Sequence, residues 1–301
     1  MIRIALLLTA LLAGCASEAP APAALVPVSV SVEGDTIWDV SAGAPITPEE
    51  LATRLAAVDV AILGEIHDNA EHHARQAWLV SRIAPEGIAF EMVPAASEEG
   101  IAVFLAGGGA PREIGPAIGW ERLGWPDWEL YAPVFEAAEG AYIAGGGVPR
   151  EAIRAAYGST AADAFGLGAA AYGLSAPLEP AQQAEAEAEM VAAHCNALPV
   201  EAAAPMVEAQ RLRDARFAEA TRRALAAGGG RAVLITGNGH ARTDRGVPVY
   251  LAAAEPDLRV LSVGQIETVD QAAALEGPLP YDYVWFSERV ADRGDPCAAF
   301  K

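Results

Sequence analysis

Short apolar runs alternate with amphipathic stretches along most of the 301-residue chain. The apolar runs have the length of strands, and several are rich in β-branched residues, which is typical of strands buried on both faces. They predict strands at 36–40, 58–63, 87–92, 141–144, 231–236, 258–263 and 283–286. The intervening stretches predict helices at 70–83, 97–105, 128–138 and 247–254. Two more helices are predicted, one that begins after a capping box at Thr47 and one that begins at Pro149.

A long alanine-rich stretch separates two of these strands. Residues 161–227 are dominated by Ala, Glu, Gln and Arg, and they predict consecutive helices broken at Gly173 and Pro199. Because strands that alternate with helices form parallel sheets covered on both faces, we expect an α/β fold with three layers, α/β/α, and a mostly parallel sheet. The alanine-rich stretch is then a helical insertion at about 150–228 in a single domain at 36–301, and the Gly- and Pro-rich residues 106–119 predict a loop.

The amino terminus has the features of an export signal. A positively charged start at 1–3 is followed by an apolar run at 4–12 and by Leu-Ala-Gly-Cys, which ends at Cys15. The run is well short of the ~20 residues that cross a bilayer, and small residues before the cysteine resemble a bacterial lipobox. We expect a signal peptide at 1–14, lipidation of Cys15 and a Pro/Ala-rich tether at 15–35; the alternative is an ordinary export signal with a chance cysteine. Ala16 favours the outer over the inner membrane.

The net charge argues against one class of partner, and the cysteine spacing argues against two kinds of chemistry. The formal net charge is −20, so the chain repels phosphate backbones and we expect no nucleic-acid partner. The same charge is typical of a well-solvated surface. Cys195 and Cys297 follow the lipobox; export permits a disulfide, and the sequence leaves open whether the two residues meet. Neither lies in a Cys-x-x-Cys pair, which disfavours thioredoxin chemistry and covalent c-type haem.

Two predicted strands run into the same short motif, Gly-x-x-His, at 64–67 and 237–240. Ligands of open α/β sheets bind beyond the carboxyl ends of the strands, where both motifs lie. Glu91 lies near the same end of a third strand, so we expect His67, His240, Glu65 and Glu91 to converge. Two imidazoles with carboxylates would hold a divalent metal through His67, Glu91 and His240, or act as acid and base. The alternatives are turn histidines bonded to carbonyls and glutamates that cap helices.

Other histidines and several aromatic residues stand near these motifs. His72 and His73 lie on one predicted helix, and because adjacent helical residues diverge by about 100°, we expect one to face the cluster and the other the surface. His194 is expected in the core. Four aromatic residues are close in sequence: Trp120, Trp125, Trp128 and Tyr131. They indicate either core packing or a flat apolar surface for a planar ligand or a dimer partner.

The motifs follow one another in a specific order. The first is Leu-Gly-Glu-Ile-His-Asp-Asn at 63–69, with the two histidines that follow it. Later blocks are Phe-Glu-Met at 90–92, the aromatic residues from Gly119 to Tyr131, His-Cys at 194–195 with Met206 and Gln210, Thr-Gly-Asn-Gly-His at 236–240 and Gly-Val-Pro at 246–248. In this order they resemble the ChaN-like haem-binding lipoproteins, part of the Tiki/TraB/erythromycin-esterase superfamily. The resemblance covers about 36–265, and the lipobox agrees with it.

This resemblance implies a three-layer α/β/α fold and a role in haem or iron acquisition, with haem held between two subunits and a tyrosine as iron ligand. Tyr131 is the first candidate for that ligand, and Tyr142, Tyr157 and Tyr172 are the others. The ligand-binding residues are then expected to be His67, His73, Trp128, Tyr131, Asn238 and His240. In hydrolytic members of the superfamily, the matching histidines and glutamate form the active site.

We therefore expect a membrane-anchored envelope lipoprotein that binds haem, forms a homodimer and is a binding protein rather than an enzyme. The alternative is a hydrolase of esters or peptides, metal-dependent or metal-free, with Glu65, His67, Glu91 and His240 as catalytic residues. A third reading is a structural envelope lipoprotein without a ligand.

Overall fold

The computed structural model describes residues 37–268, 274, 279–290, 293–294 and 297–298. The expected signal peptide, the lipidated Cys15 and the tether at 15–35 lie outside these residues. Within the described ranges, none of the helices combines the length and the apolar character that a bilayer crossing requires.

A mixed sheet of eight strands forms the centre of the described part of the chain. Its strands are β1 (Ile37–Asp39), β2 (Ala44–Ile46), β3 (Val60–Glu65), β4 (Gly87–Pro94), β5 (Tyr142–Gly147), β6 (Ala232–Gly237), β7 (Val260–Glu267) and β8 (Tyr283–Ser287). Their order is β2-β1-β8-β7-β3-β6-β4-β5. Neighbours from β8 to β5 are parallel, whereas β1 is antiparallel to both β2 and β8.

The described helices are α1 (Pro48–Leu55), α2 (Ala70–Ile83), α3 (Glu98–Ala106), α4 (Ile114–Ile118), α5 (Trp128–Ala137), α6 (Arg150–Gly158), α7 (Ala161–Phe165), α8 (Pro180–Ala193), α9 (Val200–Gly228), α10 (Asn238–Ala241) and α11 (Val247–Ala254). Local sequence explains where the first two begin. Thr47 and Glu50 form the predicted capping box of α1. The Asn69 side chain accepts hydrogen bonds from backbone N–H groups at the start of α2.

Alternate side chains of the central strands enter two separate cores. On β3, Ala61 and Leu63 face the core formed with α1, α2 and α5, whereas Val60 and Ile62 face the core formed with α9 and α11. Since successive strand side chains point to opposite faces, helices cover both sides of the sheet. The predicted three-layer α/β/α fold with a mostly parallel sheet is confirmed.

Helix α9 is longer than the strands that it covers. Its 29 residues extend about 43 Å at 1.5 Å per residue, whereas a six-residue strand such as β6 extends about 20 Å. The carboxyl end of α9 lies at the amino-terminal edge of the sheet, where the backbone of Ala224 crowds Gly87 at the start of β4. About the first third of α9 therefore projects beyond the carboxyl edge of the sheet.

The segment at 150–228 is helical, as expected for an insertion between β5 and β6, and its α9 packs directly on β4, β5 and β6 as a covering layer of the fold. One local expectation needs correction. The predicted loop at 106–119 contains a 3₁₀ turn (Pro111–Glu113) and α4. The pattern also did not indicate β2, because its side chains are only half-buried or exposed at the sheet edge.

Candidate functional site

Three adjacent strands end together at the carboxyl edge of the sheet. β3 pairs with β6 so that Glu65 lies opposite Gly237, and β4 lies on the other side of β6. The edge brings together the four side chains that the motifs singled out: Glu65, His67, Glu91 and His240. We call these four residues the rim.

The glycines of the two motifs allow this close approach. A Cβ atom on Gly64 would lie 2.4 Å from Oδ1 of Asn238 and 2.9 Å from the carbonyl oxygen of Val263. A Cβ atom on Gly237 would lie 3.0 Å from Nε2 of His67. Near the end of each strand one position therefore carries no side chain, because the opposing groups occupy that space.

The fully buried carboxylate of Glu65 joins three side chains. Its Oε1 lies 2.7 Å from Nδ1 of His67 and accepts a hydrogen bond of 2.9 Å from the hydroxyl of Tyr131. Its Oε2 lies 3.4 Å from Nδ1 of His73, whose Nε2 donates to the carbonyl of His67 at 3.0 Å. The rings of Tyr131 and His73 pack with their centroids 4.2 Å apart. These contacts fix the His67 ring with Nδ1 directed inward.

His67 is the exposed member of the rim. Its side chain is 34% exposed, and its Nε2 makes no hydrogen bond with the described residues. The Trp125 indole lies beside it, with ring centroids 5.0 Å apart. Burial alone would lower the pKa of His67, but the hydrogen bond to Glu65 and the charges of Glu91 and Glu65 raise it above its ordinary value. The ring thus presents one free nitrogen to the surface.

The Glu91 carboxylate is buried on the α9 side of the sheet. Its Oε2 accepts hydrogen bonds from the Thr236 hydroxyl at 2.7 Å and the Gly237 N–H at 2.8 Å, and its Oε1 accepts one from Nη2 of Arg213 at 2.5 Å. Burial alone would raise the pKa of Glu91, but the charges of the rim histidines and Arg213 lower it far below its usual range. Glu91 is therefore a fixed negative charge beneath the rim.

His240 is enclosed by polar partners. Its Nδ1 lies 2.5 Å from Oδ1 of Asp214 and 3.0 Å from Nε2 of Gln210, and its Nε2 lies 3.6 Å from Oε1 of Glu91. The side chain is only 7% exposed. Burial raises the pKa of Asp214 in spite of this contact. His240 therefore supports the interior of the site, whereas His67 faces outward.

Helix α9 supplies Gln210, Arg213 and Asp214 to this site. They occupy positions i, i+3 and i+4 and so share one face of the helix. Gln210 belongs to one of the blocks that resemble the ChaN-like family, whereas the sequence analysis did not predict a role for Arg213 or Asp214. The only available signal was a charged pair in an alanine-rich helix, which is typical of a solvated face; here Asp214 is buried.

The expectation that one of His72 and His73 lies on the surface is wrong, because both are buried. His72 accepts the backbone N–H of Ile66 through Nδ1, and its Nε2 contacts the hydroxyl of Ser287 at 2.8 Å. Burial and nearby positive charges lower the pKa of His72 to about 2, so this ring stays neutral and joins α2 to β8.

The aromatic group belongs largely to the core. Three of its members are buried: Trp120, Trp128 and Tyr131. Trp128 was expected to bind a ligand, but its Nε1 donates to the carbonyl of Arg112 and its ring packs on Phe135. Its contacts are therefore core contacts, and of the four only Trp125 is half-buried beside the rim.

Tyr131 was the first candidate for an iron ligand, and its burial is at odds with that role. The side chain has no exposed surface, and its hydroxyl donates to Glu65. Burial and the charge of Glu65 raise the pKa of Tyr131 well above its ordinary value, so the hydroxyl keeps its proton. A tyrosine that ligates iron must instead reach the metal as a phenolate.

Asn238 was also expected to bind a ligand. Its Nδ2 donates to the carbonyl of Gln265 at 2.5 Å, and its Oδ1 accepts the backbone N–H of Gln265 at 2.9 Å. The side chain therefore ties the second motif to β7.

The expected metal ligands His67, Glu91 and His240 lie close together without forming a metal site. Within the described residues, no group of three or more His, Cys, Asp or Glu side chains is arranged to hold a metal ion. Both Glu91 oxygens already accept hydrogen bonds, from Thr236, Gly237 and Arg213.

Two further features lie outside the rim. Cys195, in the turn between α8 and α9, is joined to Cys297 by a disulfide with Cα atoms 5.6 Å apart. A groove of about 1420 Å³ is lined by Trp78, Ile101, Arg112 and Phe135 among others, and contains none of the rim residues.

A family model described as haem-binding uptake, Tiki superfamily, ChaN matches residues 51–251, more than half of the chain. The chain belongs to the ChaN family. The resemblance expected from the motifs is thereby confirmed, and the matched range contains the complete rim and the α9 residues that support it. No protein of curated function matches the sequence.

One solved structure supports the fold of this ChaN-family protein. The structure of ChaN from Campylobacter jejuni with cofacially bound haem is similar, with a TM-score of 0.65 and 18% identity over 83% of this chain and 96% of that chain. At this identity the likeness concerns the fold. The type III effector HopBA1 is more distant, with a TM-score of 0.44 and 14% identity over 80% of this chain and 93% of that chain.

Proposed function

We propose that this protein is an exported, lipid-anchored haem-binding protein that serves haem or iron uptake, and that haem binds at the rim with Nε2 of His67 directed at the iron. Membership in the haem-binding ChaN family supports the ligand. The observation that carries the site is the Glu65–His67 pair, which leaves one ring nitrogen free at the surface.

The chemistry of this pair suits a metal-bound imidazole. Metal-ligating histidines commonly donate their other ring N–H to a carboxylate, which fixes the tautomer and makes the ligand more basic. Glu65 does this for His67, and Tyr131 and His73 hold Glu65 in turn. The half-buried Trp125 indole lies beside His67 and would add apolar contact to a planar macrocycle bound there.

A tyrosine remains the alternative iron ligand that the family resemblance implies. Tyr131 and Tyr172 are buried, and Tyr142 donates a hydrogen bond to Glu98. Tyr157, on α6, is 41% exposed, and its hydroxyl makes no hydrogen bond with the described residues. Tyr157 is therefore the tyrosine to compare with His67.

Titration of the full chain with hemin, followed at the Soret band, tests the proposal. His67→Ala is expected to weaken binding and shift the band, whereas His194→Ala, which removes a half-buried ring bonded to the Met190 carbonyl, should leave both unchanged. Loss of the band in Tyr157→Phe but not in His67→Ala would assign the iron to Tyr157. The absence of any band shift with the unaltered chain would refute haem binding.

The pH dependence of hemin binding provides a second readout. Only a deprotonated Nε2 can ligate iron, and the pKa of His67 is raised. We expect hemin affinity to fall as the pH drops through that raised pKa, and this dependence to disappear in His67→Ala. An identical pH profile in both proteins would contradict ligation by His67.

The anchor, the location and a homodimer are further parts of the proposal. The lipobox at Cys15 supports an anchor, and Ala16 supports the outer membrane. Cys15→Ser should release the protein from the membrane fraction, and sedimentation with and without hemin should show whether two copies assemble around the ligand. A Cys15→Ser variant that stays in the membrane would contradict lipid anchoring.

The same pair favours one alternative activity. A histidine whose Nδ1 faces a carboxylate and whose Nε2 is free can take a proton from water as the water attacks an ester or amide carbonyl, while the alcohol or amine leaves. Turnover of an ester and peptide panel that is lost in His67→Ala and unaffected by chelators would support a metal-free hydrolase. Turnover that His67→Ala leaves unchanged would exclude this use of the rim.

A further inference from the structure

Arg213 has unused hydrogen-bond donors beside the rim. Its Nη2 donates to Glu91, while its Nη1 and Nε make no hydrogen bond with the described residues. The side chain is 30% exposed, and its guanidinium carbon lies 5.7 Å from the centre of the Phe217 ring. Glu91 and Phe217 therefore hold the guanidinium in place with donors left for a ligand.

Arg213 and His67 lie around the same end of β6. Nε2 of His67 lies 3.0 Å, and Oε2 of Glu91 3.7 Å, from the point that a Cβ atom on Gly237 would occupy. Arg213 holds the other oxygen of the same carboxylate. The charge of Arg213 also opposes the rise in the pKa of His67, as expected for groups that lie close together.

We propose that Arg213 forms a carboxylate-binding subsite, in which Nη1 or Nε donates to a carboxylate of the planar ligand while Nη2 stays on Glu91. This inference rests on the proposed haem function and deepens it: the iron would face His67, and a propionate would face Arg213. A guanidinium donates from three nitrogens, so it can hold Glu91 and a second carboxylate at the same time.

The negative charge of the whole chain explains why an anionic ligand would need such a subsite. At a net charge of −20, the surface repels an anionic ligand. Glu91 adds a fixed negative charge next to the subsite. An anionic ligand therefore needs a positioned cation at the point of contact, and Arg213 is held there by a buried partner.

Three probes separate this subsite from iron ligation: hemin, hemin dimethyl ester and metal-free protoporphyrin IX, titrated into the full chain in detergent. We expect hemin to bind about tenfold more weakly to Arg213→Gln than to the unaltered chain, in the range of one lost charged hydrogen bond. The ester should bind both proteins equally weakly. Protoporphyrin IX keeps the carboxylates but has no iron, so Arg213→Gln should weaken its binding as it weakens hemin binding. His67→Ala should leave its binding unchanged.

Arg259→Gln provides a matched control. Arg259 pairs with Asp59 just before β7, at the opposite edge of the sheet, and its substitution should not change hemin binding. The ester comparison uses unaltered protein, so it tests the need for a ligand carboxylate even where Arg213→Gln folds poorly. If hemin binds but either esterification or a folded Arg213→Gln has no effect, the subsite is wrong and haem binding stands. If hemin does not bind at all, both proposals fail.

Discussion

Tyr131→Phe tests the organisation of the site around Glu65. The substitution removes one oxygen atom and keeps the ring that packs against His73 and Trp120. Oε1 of the fully buried Glu65 then loses its 2.9 Å hydrogen bond and keeps only the contact with His67. A hydrogen bond to a charged group contributes about 1.5–3 kcal/mol, so the free energy of unfolding should fall by about 2 kcal/mol.

Urea denaturation followed by circular dichroism measures this loss, which corresponds to a fall in melting temperature of about 4–8 °C for a domain of this size. Tyr157→Phe is the matched control: its ring is exposed, its hydroxyl is unbonded in the described residues, and we expect a change below about 0.5 kcal/mol.

Two results would refute the reasoning. Equal stability of the Tyr131→Phe and Tyr157→Phe proteins would show that Glu65 does not depend on the Tyr131 hydroxyl. A folded Tyr131→Phe protein that has lost hemin binding, with His67→Ala still binding, would make Tyr131 the iron ligand in spite of its burial. We expect Tyr131→Phe to keep hemin binding within a few-fold of the unaltered chain.

Three further predictions concern close packing, the disulfide and acid stability. Gly237→Ala should weaken hemin binding measurably, because the new methyl group lies 3.0 Å from Nε2 of His67, whereas Gly239→Ala meets no atom within 4 Å and should bind normally in the same titration. Reduction of the disulfide, which spans 102 residues, should lower the free energy of unfolding by about 4–5 kcal/mol on the chain-entropy model; equal urea midpoints with and without reductant would contradict this. Because the pKa of Glu91 is lowered in the folded state, ionised Glu91 stabilises the fold fully above the ordinary glutamate pKa, and this contribution is lost as the pH falls toward the folded-state pKa. In Glu91→Gln the free energy of unfolding should therefore depend less steeply on pH in the acid range.

The local elements follow from the sequence because their determinants are local. The run at 58–63 is apolar and β-branched, and it forms β3 at Val60–Glu65. Thr47 and Glu50 cap α1, and Asn69 caps α2. The two Gly-x-x-His motifs lie at strand ends, where glycine is a strong local signal of a turn.

Side-chain parity would also have separated the two glutamates. Leu63 faces the core beneath α2 and α5, so Glu65, two residues later, faces the same side; Ala89 faces the α9 core, and so does Glu91. Sequence therefore determines on which face of the sheet each carboxylate lies. It does not determine which helix residues meet them there.

Those partners were decided by the tertiary structure. Asp214 and Arg213 reach the rim because α9 runs antiparallel to β4 across the α9 face of the sheet, at a height set by packing around Ala224 and Gly87. Burial of Tyr131 against Glu65 likewise depends on the docking of α5. Hydrophobic periodicity records which residues are buried, but a contact between distant segments depends on how whole helices pack. The strands, the turns and the positions of the two histidines follow from local sequence. The exposure of His67 and the enclosure of His240 depend instead on how the helices pack around the rim.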